Sequence, residues 1–224
     1  MLELIHHPFC PHSRFVRLVL YEYALPVRLI GERIWDRREE FLILNPAGTL
    51  PVLLVEGKAP VPGASIIAEY LDEAYGNAFS DRRLFPPEPY PRVEVRRLMN
   101  WFHYKFFAEV SGPLTAERYK QYMQVAAGGG SPDYEVIRAA RENIPDHLAY
   151  IASLVDKHDC LAGGQLTYAD LAAAAHLSVV DNLDDMSWNE AGSAKTWSAR
   201  MQSRPSFRSM LTEGWKGFVR NQPM

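Results

Sequence analysis

Strand-like patterns occur only in the first 76 of the 224 residues, and everything beyond them reads as helix. That asymmetry constrains the fold more than any other feature. Leu-Glu-Leu-Ile at 2–5 reads as a buried strand, and from Pro11 the apolar residues Phe15, Val16, Leu18, Val19, Leu20 and Tyr23 take helical spacing. Pro11 suits the first helical position, where a missing N–H costs nothing, so Cys10 or its neighbour is the expected N-cap. A second strand at 27–30 precedes a short helix at 36–44, which stops before Asn45-Pro46. Residues 50–55, the turn Glu56-Gly57 and residues 59–61 predict a hairpin with a short, proline-marked edge strand. A helix over 65–75, with Ser65 as N-cap, ends at Gly76. The order βαβαββα implies a small mixed sheet covered by helices.

The composition changes at Gly76. Residues 77–91 carry Pro86, Pro87, Pro89 and Pro91 and read as a connection, so we expect an α/β domain at 1–76, a linker at 77–88 and an all-helical domain at 89–224. The helix predicted at 90–109 is rich in aromatics from Trp101 to Phe107, which suits core or dimer contacts or, alternatively, a hydrophobic-substrate pocket. Gly128 to Gly130 breaks the pattern. Helix resumes over 132–157 with a kink or break expected at Pro145. An alanine-rich helix over 167–180 starts with Thr167-x-x-Asp170, a capping box and not a site. Shorter helices are expected at 194–201 and 205–215.

Hydrophobic residues make up 47% and charged residues 23%, with a net charge of −3. These values exclude a disordered chain and argue against a nucleic-acid or membrane-surface binder. Two cysteines, Cys10 and Cys160, cannot build a disulfide framework or a zinc motif. The N-terminus lacks the basic and apolar regions of a secretory signal, and no apolar run is long enough to span a bilayer, so a cytoplasmic address is expected. His6, His7, Cys10 and His12 fit no metal-ligand spacing, and strand alternation sends His6 and His7 to opposite faces, so no metal is expected. Arg33, Trp35, Arg37 and Arg38 suit either a protein-partner surface or a solvated face with Trp35 packed inward.

Four local motifs carry a family resemblance. The run from Pro8 to Arg17 (Pro-Phe-Cys-Pro-His-Ser-Arg-Phe-Val-Arg) resembles the first-helix motif of cytosolic glutathione S-transferases. Asn-Pro-Ala-Gly-Thr-Leu-Pro-Val-Leu at 45–53 resembles their cis-proline loop. Gly-Ala-Ser-Ile-Ile-Ala-Glu-Tyr-Leu at 63–71 resembles the helix start that binds the γ-glutamyl group, and Leu-Thr-Tyr-Ala-Asp at 166–170 resembles the buried capping box of their helical domain. The resemblance implies a thioredoxin-like domain followed by a helical bundle, a two-fold homodimer, and glutathione as co-substrate. It implies that a cis Leu50–Pro51 bond turns the Leu50 amide and carbonyl toward the tripeptide, and that Ser65 and its helix N-terminus receive the γ-glutamyl carboxylate. It also implies that Cys10 or Ser13, at the positive end of the first helix, supports a thiolate.

The family usually places an acidic residue or Gln before that serine; here the position is Ala64. A lost charge-assisted bond costs roughly 1.5–3 kcal/mol, about 10- to 100-fold in affinity. The runs at 128–133, 140–144, 167–175 and 203–207 also resemble a bacterial subgroup of glutathione S-transferase-like proteins that includes dimeric factors that bind the division protein FtsZ and alter its filaments. That subgroup is expected to carry an acidic, aromatic C-terminal tail, whereas this sequence ends in Asn-Gln-Pro-Met at 221–224. Two readings follow. One is a protein with a partly degenerate glutathione site that binds FtsZ filaments; the other is an active glutathione or thiol transferase using Cys10 or Ser13.

Overall fold

The computed structural model describes residues 1–127, 130–211 and 213. Its sheet has the order β2-β1-β3-β4, from β1 (Leu2–His6), β2 (Val27–Gly31), β3 (Val52–Val55) and β4 (Val61–Pro62). β1 runs parallel to β2 and antiparallel to β3, so Leu4 stands opposite both Leu29 and Leu53. The parallel pair requires a crossover, and α1 (Pro11–Glu22) supplies it. Residues 34–44 divide into a 3₁₀ turn (Ile34–Asp36) and α2 (Glu39–Leu44), separated by Arg37 in left-handed backbone at φ 45°.

The helix after β4 is α3 (Ala64–Tyr75), and here the sequence expectation shifts by two residues. Gly63 and not Ser65 is the N-cap. Its φ of 95° suits glycine, its N–H donates to Pro51 O at 3.0 Å, and its carbonyl takes the first helical bond from Ile67. Ser65 therefore lies inside the first turn.

A 3₁₀ stretch (Gly76–Arg82) leads into α4 (Pro89–Asn100), which continues as a wider π-helical segment (Trp101–Ser111) and then α5 (Gly112–Ala127). α6 (Tyr134–Val155), α7 (Tyr168–Asn182), α8 (Ser193–Gln202), a 3₁₀ turn (Pro205–Phe207) and α9 (Arg208–Leu211) complete the helical part. No strand element follows β4 among the described residues. The sequence thus folds as a small mixed four-stranded sheet with helices, followed by a helical domain. The helix expected at 205–215 is shorter here. Its residues 212, 214 and 215 lie outside the described residues, as do Gly128, Gly129 and the terminal 221–224.

Of the kink or break expected at Pro145, the break does not occur: α6 runs unbroken through it. Proline withholds one N–H from the Arg141 carbonyl, but Ile144, Leu148 and Ile151 bury one helical face on both sides of it. α1 is buried nearly all round, between the sheet layer and α7, and one core runs through both parts from Leu4 and Phe15 to Tyr168 and Leu171. Two arginines of α1 are carried into that interior. Arg14 donates to Pro8 O and to Ser178 Oγ at 3.0 Å, and Arg17 holds Glu213 at 2.6 Å.

Candidate ligand site between the sheet and the helical domain

A cavity of about 550 Å³ opens where the ends of β1 and α3 meet the π-helical segment and α5. Cys10, Leu50, Ala64 and Ser65 all line it. The chain converges there for local reasons. Cys10 is the N-cap of α1, with Pro11 at the first helical position. Asn45 Nδ2 bonds Thr49 O at 2.8 Å and its Oδ1 receives the Ala47 N–H, which holds the loop that delivers Leu50; the Leu50–Pro51 bond is cis. Ala64 begins α3 and Ser65 follows it toward the same space.

Ser13 and Pro51 are not among the lining residues. Ser13 is fully buried, and its Oγ accepts the His7 N–H at 3.4 Å. The Cys10 expectation needs a correction. Its half-buried thiol donates to Leu50 O at 3.9 Å, and burial pushes the thiol up. Hydrogen bonds from Ser13 and from the backbone of His12 and Ser13 act in the opposite direction but do not outweigh it. Desolvation penalises the thiolate more than the helix N-terminus favours it.

No Lys, Arg, Asp or Glu lines the cavity among the described residues. Its far wall is aromatic: Trp35, Tyr104, Phe107 and Tyr119. Trp35 meets Tyr119 at a ring distance of 4.8 Å and His7 at 5.3 Å, so it packs inward. His7 Nδ1 accepts from Phe9 N–H at 3.3 Å and from Tyr119 O–H at 2.7 Å, which requires a neutral ring. Burial lowers its pKa to about 3, helped by His6, Arg14 and Arg33. Of the aromatic stripe, Tyr104 and Phe107 reach the cavity, whereas Phe102 and Phe106 are core.

The four residues His6, His7, Cys10 and His12 do not form a cluster. His12 instead joins His103 and His176, with one ligand atom from each within 4.8 Å of the others. His103 Nδ1 faces His176 Nε2 at 3.2 Å, His176 Nδ1 meets Ser111 Oγ at 2.8 Å, and His12 Nε2 meets His103 O at 3.2 Å. Burial lowers the pKa of all three rings. Neither His103 nor His176 carries a local sequence signal, since 73 residues separate them.

The geometry of a cis-proline loop, a helix start and a helical bundle around one cavity can be set beside known proteins. The sequence model of the glutathione S-transferase N-terminal domain matches residues 4–79, and that of the C-terminal domain matches 133–213. The chain belongs to the glutathione S-transferase family. A glutathione S-transferase structure from Sinorhizobium meliloti is 47% identical, with a TM-score of 0.92 over 97% of this chain and 94% of that one. FtsZ-localized protein A of Caulobacter vibrioides is 39% identical over 96% of this chain and 93% of its own. The structure of FzlA from C. crescentus is 39% identical, with a TM-score of 0.86 over 96% and 94% of the two chains. Within this glutathione S-transferase frame, Leu50, Ala64 and Ser65 line the cavity from the side of the first domain. No helix among the described residues is long and apolar enough to cross a membrane.

Proposed function

We propose that this glutathione S-transferase-family chain acts in cell division as a cytoplasmic homodimer that binds FtsZ filaments, with little or no turnover of glutathione. The observation that carries the reading is the similarity, along nearly the whole chain, to a relative named for its localisation with FtsZ. The cavity agrees with it. Glutathione carries two carboxylates and an ammonium group, and no charged side chain lines the space among the described residues. The Ala64 side chain offers no polar atom, Ser13 is sealed in the core, and burial disfavours the Cys10 thiolate. What remains for glutathione is the Leu50 backbone beside Pro51, the Ser65 hydroxyl and the N-terminus of α3, which together support weak binding.

One observation favours the enzyme reading. Cys10 does line the cavity, beside the backbone that would hold a tripeptide thiol. In that case the Cys10 thiolate would attack a substrate–glutathione mixed disulfide, forming a Cys10–glutathione disulfide and releasing the substrate thiolate, and a second glutathione would then reduce it.

Co-sedimentation with FtsZ filaments tests the first reading, and calorimetric titration with glutathione tests the second. The chain is expected to pellet with filaments in proportion to FtsZ and to take up glutathione only at millimolar concentration. No co-sedimentation removes the division role. Micromolar glutathione binding makes the transferase reading the better one.

A further inference from the structure

We infer that His12, His103 and His176 form a three-imidazole site for one divalent transition-metal ion, reached through the cavity. The three rings come from separate elements, α1, the π-helical segment and α7, so a metal there would tie the first domain to the helical one.

The distances carry the argument. In a tetrahedral site with metal–nitrogen bonds of about 2.0–2.1 Å, ligand nitrogens lie roughly 3.3–3.4 Å apart. His103 Nδ1 and His176 Nε2 already stand 3.2 Å apart. One His12 nitrogen completes a set whose members all fall within 4.8 Å. His12 is the least buried of the three and borders the cavity.

The surroundings resemble those that orient metal ligands. A ligating histidine normally spends its second nitrogen on a hydroxyl, carbonyl or carboxylate. Ser111 Oγ serves His176 Nδ1 in this way, and the His103 carbonyl serves His12 Nε2. His103, 3% exposed, differs: ligating through Nδ1, it would carry its proton on Nε2, which has no hydrogen-bond partner. Burying three imidazoles among Phe15, Phe106 and Phe107 is costly for a purely apolar contact, which aliphatic side chains would make more cheaply. Neutral all-nitrogen donors suit zinc, cobalt or copper and not magnesium or calcium. His12 and His103 line the cavity, which supplies both an entry path and space for a fourth ligand.

The test uses the full chain, freed of metal with a chelator. Cobalt(II) is titrated in while the visible d–d bands are followed, and zinc(II) binding is measured by calorimetry. We expect one equivalent per chain, the intense bands of tetrahedral cobalt, and their loss on adding zinc. His12→Asn, at the cavity edge, should weaken zinc at least tenfold, as should His176→Asn in protein whose circular dichroism matches the wild type. The exposed His158→Asn should bind as wild type does. Weak octahedral bands only, or equal affinity in His12→Asn and wild type, would overturn the site.

Discussion

The Cys10 thiol donates to the carbonyl oxygen of Leu50 across 3.9 Å, joining the start of α1 to the residue before the cis-proline. That contact engages the thiol form, and burial disfavours the thiolate in the same direction. The same contact occupies a carbonyl that a bound peptide would need for backbone pairing.

Cys10 should therefore be a slow nucleophile. Burial raises its pKa, so the thiolate fraction at pH 7 falls below that of a free cysteine, whose pKa is about 8.5. Alkylation by iodoacetamide, followed by mass spectrometry against pH, should be slower than for a model thiol at neutrality and rise only in alkaline solution. Cys160, pushed up to about 11, should be slow as well. A Cys10 that outpaces the model thiol at pH 7 would show activation and support the transferase reading.

What the sequence made legible was local. Pro11 after Cys10 and Asp170 three residues after Thr167 are signals read within one turn, and both caps form as expected. The alternation of short apolar runs up to Val61 is enough to find each strand among the described residues. Ser65 was misplaced because a serine before an apolar run is a strong cap signal, while the Gly63 conformation that takes the role depends on a bond to Pro51. The Cys10 titration was misread because a helix N-terminus is visible in sequence and desolvation is not. His103 and His176 were missed for the same reason: their meeting depends on how the π-helical segment packs against α7.

Acid should destabilise the fold well above the carboxylate range. Burial lowers His6 to about 4 and His7 to about 3, against 6.5 in the unfolded chain. The unfolded state then binds more protons between those values, so stability is complete above pH 6.5 and is lost as pH falls toward 4. By pH 5 each of the two histidines accounts for about 2 kcal/mol. Urea midpoints at pH 7.5, 6 and 5 should fall steadily, and His6→Asn should flatten the curve. A midpoint that stays constant from pH 7.5 to 5 would contradict the burial of these rings.

Asp170 should be the most sensitive single position in the helical domain. Fully buried, it accepts from Leu161 N at 2.9 Å, Thr167 N at 3.0 Å, Thr167 Oγ1 at 2.9 Å and Trp197 Nε1 at 3.3 Å. Asp170→Ala strands all four donors and should cost about 3–5 kcal/mol in urea unfolding. Asp170→Asn keeps one acceptor oxygen and should cost about half as much. A loss below 1 kcal/mol for the alanine variant would mean that the cap is not holding the loop at Leu161.

Glu213 neutralises two buried cations at once, bonding Arg17 at 2.6 and 3.0 Å and approaching Arg14 at 3.9 Å. Its own side chain is 25% exposed, so water moderates the interaction. Glu213→Gln should still cost about 2–3 kcal/mol, because it leaves two interior guanidinium groups without a counter-charge. Denaturant unfolding in low and high salt checks this, with little recovery expected from screening ions that cannot reach α1.

Ala64 separates the two functional readings most sharply. It lies at the first position of α3, 6% exposed, with its methyl group on the cavity wall. A methyl group cannot bond the ammonium or carboxylate end of glutathione, and no charged side chain nearby takes over that task among the described residues. Wild type should therefore bind glutathione with a Kd in the millimolar range, about −4 kcal/mol. Ala64→Glu places a carboxylate at that wall and also favours the helix N-terminus. If the Leu50 backbone and Ser65 are correctly placed, calorimetry should register a gain of roughly 1.5–3 kcal/mol, about 10- to 100-fold. FtsZ co-sedimentation should not change, since the filament contact is expected outside the cavity. A variant that binds no better would mean that the groove is reshaped beyond one missing side chain. Micromolar binding by wild type would mean that Ala64 is no defect and that the chain is a working transferase.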